Sequence, residues 1–263
     1  RILPTLRLLV KKIKVPVSLV YRRGIARDGR NPVLLYGSGS YGEPMDPGFH
    51  PGLRALLDRG FIYGIAHVRG GGEFGPAWFK GGRLLRKKNS FTDFIACAEA
   101  LIRRGYTHPS RLFLTGNSAA GLLVGAVLNL RPDLFRGVLA EVPMVDLLTN
   151  LVEGENLPPG VFEDWGNPAV RRHYAYVQSY SPYDNVAPAA HPAVLATTGL
   201  RDPQVPCWEV LKWVAKLRQC QRGPDPILLW ADLKGGHLGS SRLRDRARDL
   251  ARQYAFLLTL AGK

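Results

Sequence analysis

The sequence predicts an α/β fold, a mostly parallel central sheet covered by helices on both faces. Short runs rich in Val, Ile and Leu recur along the chain, and segments of helical length and period separate them. Parallel strands need a crossover long enough for a helix, so this alternation points to repeated strand–helix–strand units. A length of 263 residues with 46% apolar side chains suits one large core and argues against disorder.

Taken in order, the strand candidates are VPVSLVY (15–21), PVLLYG (32–37), FIYGIAHV (61–68), RLFLTG (111–116), GVLAEVP (137–143), AVLATTG (193–199) and PILLWAD (226–232). Each is a short apolar run, and most end at Gly or Pro. Helices are expected near Pro51–Arg59, Ser90–Arg104, Ala119–Asn129, Trp208–Gln219 and Arg242–Leu260. The interval from about Thr149 to Pro192, rich in Pro, Tyr, Asn and Gly, breaks the alternation and reads as an excursion above the sheet. Residues 1–14 are expected to be an N-terminal segment or linker remnant, and residues 15–263 the folded domain.

Lys and Arg outnumber Asp and Glu by 36 to 21, giving a net charge of +15. The cations are spread over Lys11–Lys14, Arg22–Arg23, Arg83–Lys88, Arg103–Arg104, Arg171–Arg172 and Arg242–Arg252, with no nucleic-acid module, so they read as solvated faces. No segment approaches the ~18 uninterrupted apolar residues of a membrane span, and the start RILPTLRLLVKKIK is a poor secretory signal. A cytoplasmic protein without nucleic-acid or membrane partners is expected. Cys97, Cys207 and Cys220 have no C-x-x-C spacing and an odd count, which argues for reduced thiols. The first residue is Arg1 rather than Met, and a piece of a longer protein is expected.

GSGSYG (37–42) matches the pattern G-x-G-x-x-G, but Pro44, Pro47 and Pro51 crowd the residues where a dinucleotide-binding helix would begin. FIYGIAHVR ends in no acidic residue for a ribose, there is no Walker A sequence, and the histidines show no metal-ligand spacing. No cofactor or metal is expected. The glycines are read instead as letting the turn pass close to Ser118.

RLFLTGNSAAGLLVGAVLNL places Gly116-Asn117-Ser118-Ala119-Ala120-Gly121 between a strand and an apolar helix, the context of a nucleophile elbow. Ala120 stands where G-x-S-x-G has its second glycine. By itself this motif leaves open a serine N-cap on an ordinary helix. The α/β-hydrolase chain order adds weight, because an acid and then a histidine should follow in loops after later strands. Asp202 follows the strand ending at Gly199, and His237 follows the strand ending near Asp232. The expected roles are nucleophile for Ser118, general base for His237 and orienting carboxylate for Asp202.

The chain resembles the catalytic domain of the prolyl oligopeptidase family, nearest its oligopeptidase B members. The resemblance runs from about Val15 to Leu258 through NPVLLYG, LLDRGF, AHVRGGGEFG, KKNSFTDFI, SAAGLLVGAVLN, RPDLF, DWGNP, SYSPYDNV, TTGL and KWVAKLR. It implies an α/β-hydrolase fold, a serine peptidase acting on short peptides, Ser118, Asp202 and His237 at the triad positions, and a β-propeller preceding this domain. It also implies an oxyanion hole built from the Ala119 N–H and a tyrosine hydroxyl in a YGYG turn, a tyrosine replaced here by Ser38. Losing one such donor costs on the order of 3 kcal/mol, so a weakened oxyanion hole is expected. Of the family's carboxylates that select Arg or Lys, the principal one is replaced by Val161 and one in the turn by Gly48, while Glu163 and Asp46 match the others. Losing a carboxylate partner removes attraction for a basic side chain, so the preference for basic P1 residues is expected to be weak. An esterase or thioesterase of the same fold and a catalytically silent interaction protein are the alternatives.

Overall fold

The computed structural model describes residues 3–10, 13–46, 48, 50–154, 160–240 and 242–263. Arg1, Ile2, Lys11, Lys12, Pro47, Phe49, Ser241 and residues 155–159 of the predicted excursion lie outside that set. Strands β1 (Leu3–Val10), β2 (Ile13–Val20), β3 (Val33–Tyr36), β4 (Ile62–Ala66), β5 (Leu112–Asn117), β6 (Gly137–Glu141), β7 (Ala193–Gly199) and β8 (Ile227–Asp232) form one sheet. Their order is β1-β2-β4-β3-β5-β6-β7-β8. β2 runs antiparallel to both β1 and β4, and the remaining pairs are parallel.

The predicted β7 has the observed bounds, and the other predicted strands are found with small shifts at their ends. The N-terminal boundary differs more. Leu3–Val10 pairs with β2, and β2 begins at Ile13, so the sheet takes in residues expected to precede the domain. An antiparallel edge pair draws its order from the ladder, which a reading for buried apolar runs overlooks where lysines interrupt the sequence.

The helices are α1 (Arg54–Leu57), α2 (Pro76–Lys80), α3 (Lys88–Arg103), α4 (Ala119–Leu130), α5 (Leu147–Glu153), α6 (Val161–Asp164), α7 (Arg171–Gln178), α8 (Cys207–Cys220) and α9 (Leu243–Ala261). Alternation along the central strands divides the core by face. Val33, Leu35, Leu112, Leu114, Val138, Ala140, Val194 and Ala196 pack with α3, α4 and α8, while Leu34, Phe113, Leu139 and Leu195 pack with α1 and α9. Strands buried on both sides read as continuous apolar runs, which is why they were legible as such. Cys97 is fully buried on α3, and Cys207 and Cys220 are half-buried; all three are free thiols. No helix among the described residues is long and apolar enough to cross a membrane.

The chain passes from β3 to β4 on one side and then returns to place β5 on the other side of β3. The turns leaving β3 and β5 therefore sit side by side at a switch point, where open α/β sheets bind ligands. The predicted excursion holds α5, α6 and α7 and is pinned to the domain. A Cβ on Gly125 of α4 would lie 2.6 Å from Pro182 Cβ, and Asn129 Nδ2 donates to Pro182 O at 2.8 Å. Buried Glu209 of α8 accepts the Val145 and Asp146 N–H groups and the Asn150 amide at the start of the excursion. Burial outweighs these bonds and pushes its carboxyl up to about 7.

Candidate active site

β5 runs straight into α4 through Ser118, whose φ of 53° and ψ of −124° are foreign to an ordinary N-cap. Backbone bonds hold this conformation: Ser118 N donates to Glu141 O (3.0 Å), and Ser118 O accepts from Gly121 N (2.8 Å) and Met144 N (3.0 Å). Glycine is required on both flanks. A Cβ on Gly116 would lie 2.9 Å from Ala120 O, and one on Gly121 would lie 2.3 Å from Pro143 Cβ. Ala120, the departure from G-x-S-x-G, is accommodated in the core at 2% exposure. The closest steric demand falls one residue later, on Gly121.

The loops after β7 and β8 bring the other two predicted residues to the same place. His237 Nε2 is 2.9 Å from Ser118 Oγ, and His237 Nδ1 is 2.8 Å from Asp202 Oδ2. A carboxylate only accepts, so Nδ1 carries the proton and Nε2 accepts the serine O–H. Asp202 Oδ1 accepts the N–H groups of Gln204 (2.8 Å) and Val205 (2.9 Å), which leaves Oδ2 for the histidine. Glycine is required at position 199, where a Cβ would lie 2.6 Å from Gly235 O and 2.8 Å from Gly236 O. Arg201 N donates to Gly235 O at 3.1 Å, and Leu200 N to Asp232 O at 2.8 Å, so backbone bonds fasten the two loops together.

The Ala119 N–H, in the first turn of α4, has no acceptor among the described residues. Ser38 is 8% exposed in the turn after β3. Tyr41 is engaged elsewhere, its hydroxyl accepting from Trp165 Nε1 at 3.3 Å. The close contacts that demand these glycines are made to parts of the fold other than Ser118. A Cβ on Gly37 would lie 2.7 Å from the Phe94 ring, and one on Gly39 would lie 2.7 Å from Val68 Cγ2 and 2.8 Å from Arg69 O. The glycines serve the approach of the turn to α3 and to the loop after β4. What reaches the residue before Ser118 is Tyr36 at the end of β3, whose hydroxyl donates to Asn117 Oδ1 at 3.2 Å. Burial, with the charges of Glu141 and Glu43, pushes the Tyr36 phenol up to about 12, so it remains a donor.

Of the candidate substrate-binding residues, Val161 and Glu163 lie on α6 and Asp46 in the turn after β3. Val161 is 5% exposed and packs in the main core, so it offers almost no surface to a ligand, contrary to expectation. Glu163, one turn face away on α6, is exposed and lies 3.9 Å from Arg83 Nη1. Asp46 is exposed. The run Arg83–Lys88 is likewise not uniformly a solvated face, because Lys87 is 1% exposed.

Sheet order, elbow and the placing of the loops after β7 and β8 define an α/β-hydrolase fold. Residues 48–263 match the model of the prolyl oligopeptidase family. The chain belongs to that family. It is 43% identical over 252 residues to dipeptidyl aminopeptidase BI of Pseudoxanthomonas mexicana, covering 95% of this chain and 35% of the relative. Among solved structures, oligopeptidase B of Leishmania major superposes with a TM-score of 0.94 at 42% identity, covering 98% of this chain and 37% of that one. Oligopeptidase B of Trypanosoma brucei with covalently bound antipain, in a closed form, gives 0.94 at 45% identity over the same shares. The chain thus spans about a third of the length of the relatives it matches.

Proposed function

We propose that this chain is the catalytic part of a serine peptidase that cleaves short peptides through an acyl-enzyme on Ser118. The observation that carries the reading is the unbroken hydrogen-bonded relay from Asp202 through His237 to a serine held at positive φ. In the proposed reaction Ser118 Oγ attacks the substrate carbonyl carbon while its proton passes to His237 Nε2. Asp202 stabilises the resulting imidazolium. The Ala119 N–H and the turn after β3 take the charge that develops on the carbonyl oxygen. Collapse expels the amine, which leaves with the proton held by His237, and a water activated by the same histidine then hydrolyses the Ser118 ester.

A fluorophosphonate probe is expected to label Ser118 in the folded chain, and Ser118→Ala to abolish labelling and hydrolysis. A folded sample that takes no label would point to the silent interaction protein. Labelled protein that turns over p-nitrophenyl esters but no peptide amides would point to the esterase.

The proposed substrate preference is broad. Val161 is buried and the exposed Glu163 already faces Arg83 at 3.9 Å, so Asp46 is left as the exposed candidate carboxylate with no cation beside it among the described residues. A hydrogen-bonded ion pair contributes on the order of 1.5–3 kcal/mol, or about 10- to 100-fold. Without one, kcat/KM for P1 Arg over P1 norleucine peptide anilides is expected to stay within about tenfold. A ratio in the hundreds would restore a basic-residue specificity. The part of the relatives' length outside the match accords with a propeller that would screen the site from large substrates.

A further inference from the structure

The turn after β3 is held from behind by groups the proposed mechanism does not use. Lys87 Nζ donates to Gly39 O at 2.5 Å and to Ser40 Oγ at 3.2 Å. It also lies 3.7 Å from Asp164 Oδ2 and 4.2 Å from the centroid of the Trp165 ring. Asp164 Oδ2 in turn accepts the Tyr41 N–H at 3.1 Å. Gly39, Ser40 and Tyr41 are therefore all fastened to one ion pair whose side chains are each 1% exposed.

Stability alone is a poor reason to keep such a pair. Desolvation offsets most of the attraction between buried charges, and apolar residues of similar volume often do as well. Burial prevails at both ends here: it lowers the Lys87 ammonium to about 8 against the pull of Asp164, and raises the Asp164 carboxyl against the pull of Lys87.

Geometry offers a better reason. The N–H groups of Tyr41, Gly42 and Glu43 are taken by Asp164, Gly70 O and Ser40 O, whereas those of Ser38, Gly39 and Ser40 have no acceptor among the described residues. The peptide unit is planar and trans, so a Gly39 carbonyl fixed on Lys87 turns the Ser40 N–H to the opposite side. In this fold the loop after β3 can contribute an N–H to the oxyanion hole, and with Ser38 in place of the family's tyrosine the backbone of this turn is the source that remains. We propose that Lys87, with Asp164, is a positioning residue that fixes the backbone donors of this turn for the substrate oxygen at Ser118. The inference rests on the serine-hydrolase reading above.

Lys87→Met leaves the Asp164 carboxylate buried without its partner, and Lys87→Met/Asp164→Asn removes that charge while an amide oxygen still accepts the Tyr41 N–H. The double variant is expected to recover the Tm lost by the single one. Its kcat for p-nitrophenyl acetate and its rate of labelling by fluorophosphonate are expected to remain about 10- to 100-fold below wild type, with KM little changed. A double variant whose kcat returns with its Tm overturns the proposal. Ser40→Ala, which deletes a single acceptor of Lys87, is expected to lower kcat about threefold at unchanged Tm; an unchanged kcat also overturns it. A wild-type chain that takes no label would instead sink the enzymatic reading itself, so the two failures are distinguishable.

Discussion

Asp202→Asn is expected to lower kcat on the order of 10⁴-fold while the fold and Tm stay near wild type. The local hydrogen bonds dictate which way the new amide must face. Oδ1 of Asp202 accepts the N–H groups of Gln204 and Val205, and an amide nitrogen there would confront two donors. The asparagine oxygen is therefore retained at that position, and its NH₂ group faces His237 Nδ1. A donor facing Nδ1 forces the proton onto Nε2, where the histidine can no longer accept from Ser118 Oγ, the bond now 2.9 Å long. Steady-state hydrolysis of a peptide anilide, with Tm as control, checks this. A loss below tenfold would mean that some other contact holds the histidine tautomer.

Gly121→Ala is expected to destabilise the chain and disturb the nucleophile together. The added carbon would sit 2.3 Å from Pro143 Cβ and 2.4 Å from Pro143 Cα, so a piece of backbone has to move. Overpacking of this kind costs roughly 1–3 kcal/mol, or about 3–10 °C in Tm for a domain of this size. Displacing Pro143 also drags Met144, whose N–H anchors Ser118 O, so the rate of fluorophosphonate labelling should fall as well. Ala120→Gly is the control. It should cost about 1–2 kcal/mol, from helix propensity and one buried methyl, but leave Pro143 in place and the labelling rate unchanged. Equal losses of labelling rate from the two changes would return the critical small residue to position 120.

The central strands and the elbow were legible because their signals are local, and Asp202 and His237 because they follow the elbow in the chain order of the fold. A doubly buried strand is a continuous apolar run, and an elbow needs its small residues within a few positions of the serine. Lys87 was not legible for the opposite reason. Within the cationic run Arg83–Lys88 nothing local separates it from its neighbours, and its partner Asp164 belongs to α6, far along the chain. The glycines of GSGSYG were seen as a close approach, but the surface approached is the Phe94 ring and the segment Val68–Arg69, which only the fold brings there. Val161 was weighed as a substrate position because a sequence match fixes a residue's place in a row without fixing its burial. The α2 helix escaped notice because its five residues are too few for a helical period to emerge.

Backbone bonds from Leu200 and Arg201 to Asp232 and Gly235 join the loop bearing Asp202 to the loop bearing His237. In the proposed mechanism His237 and Asp202 thus form one cartridge, docked against a separately built Ser118 whose geometry is set by β5, β6 and Pro143–Met144. The relay meets between the two blocks at a single bond, Nε2 to Oγ, so small rigid-body drifts of either block are registered there first. Such a division lets mutation retune reactivity by shifting one block as a unit, with the pairing of His237 and Asp202 inherited intact.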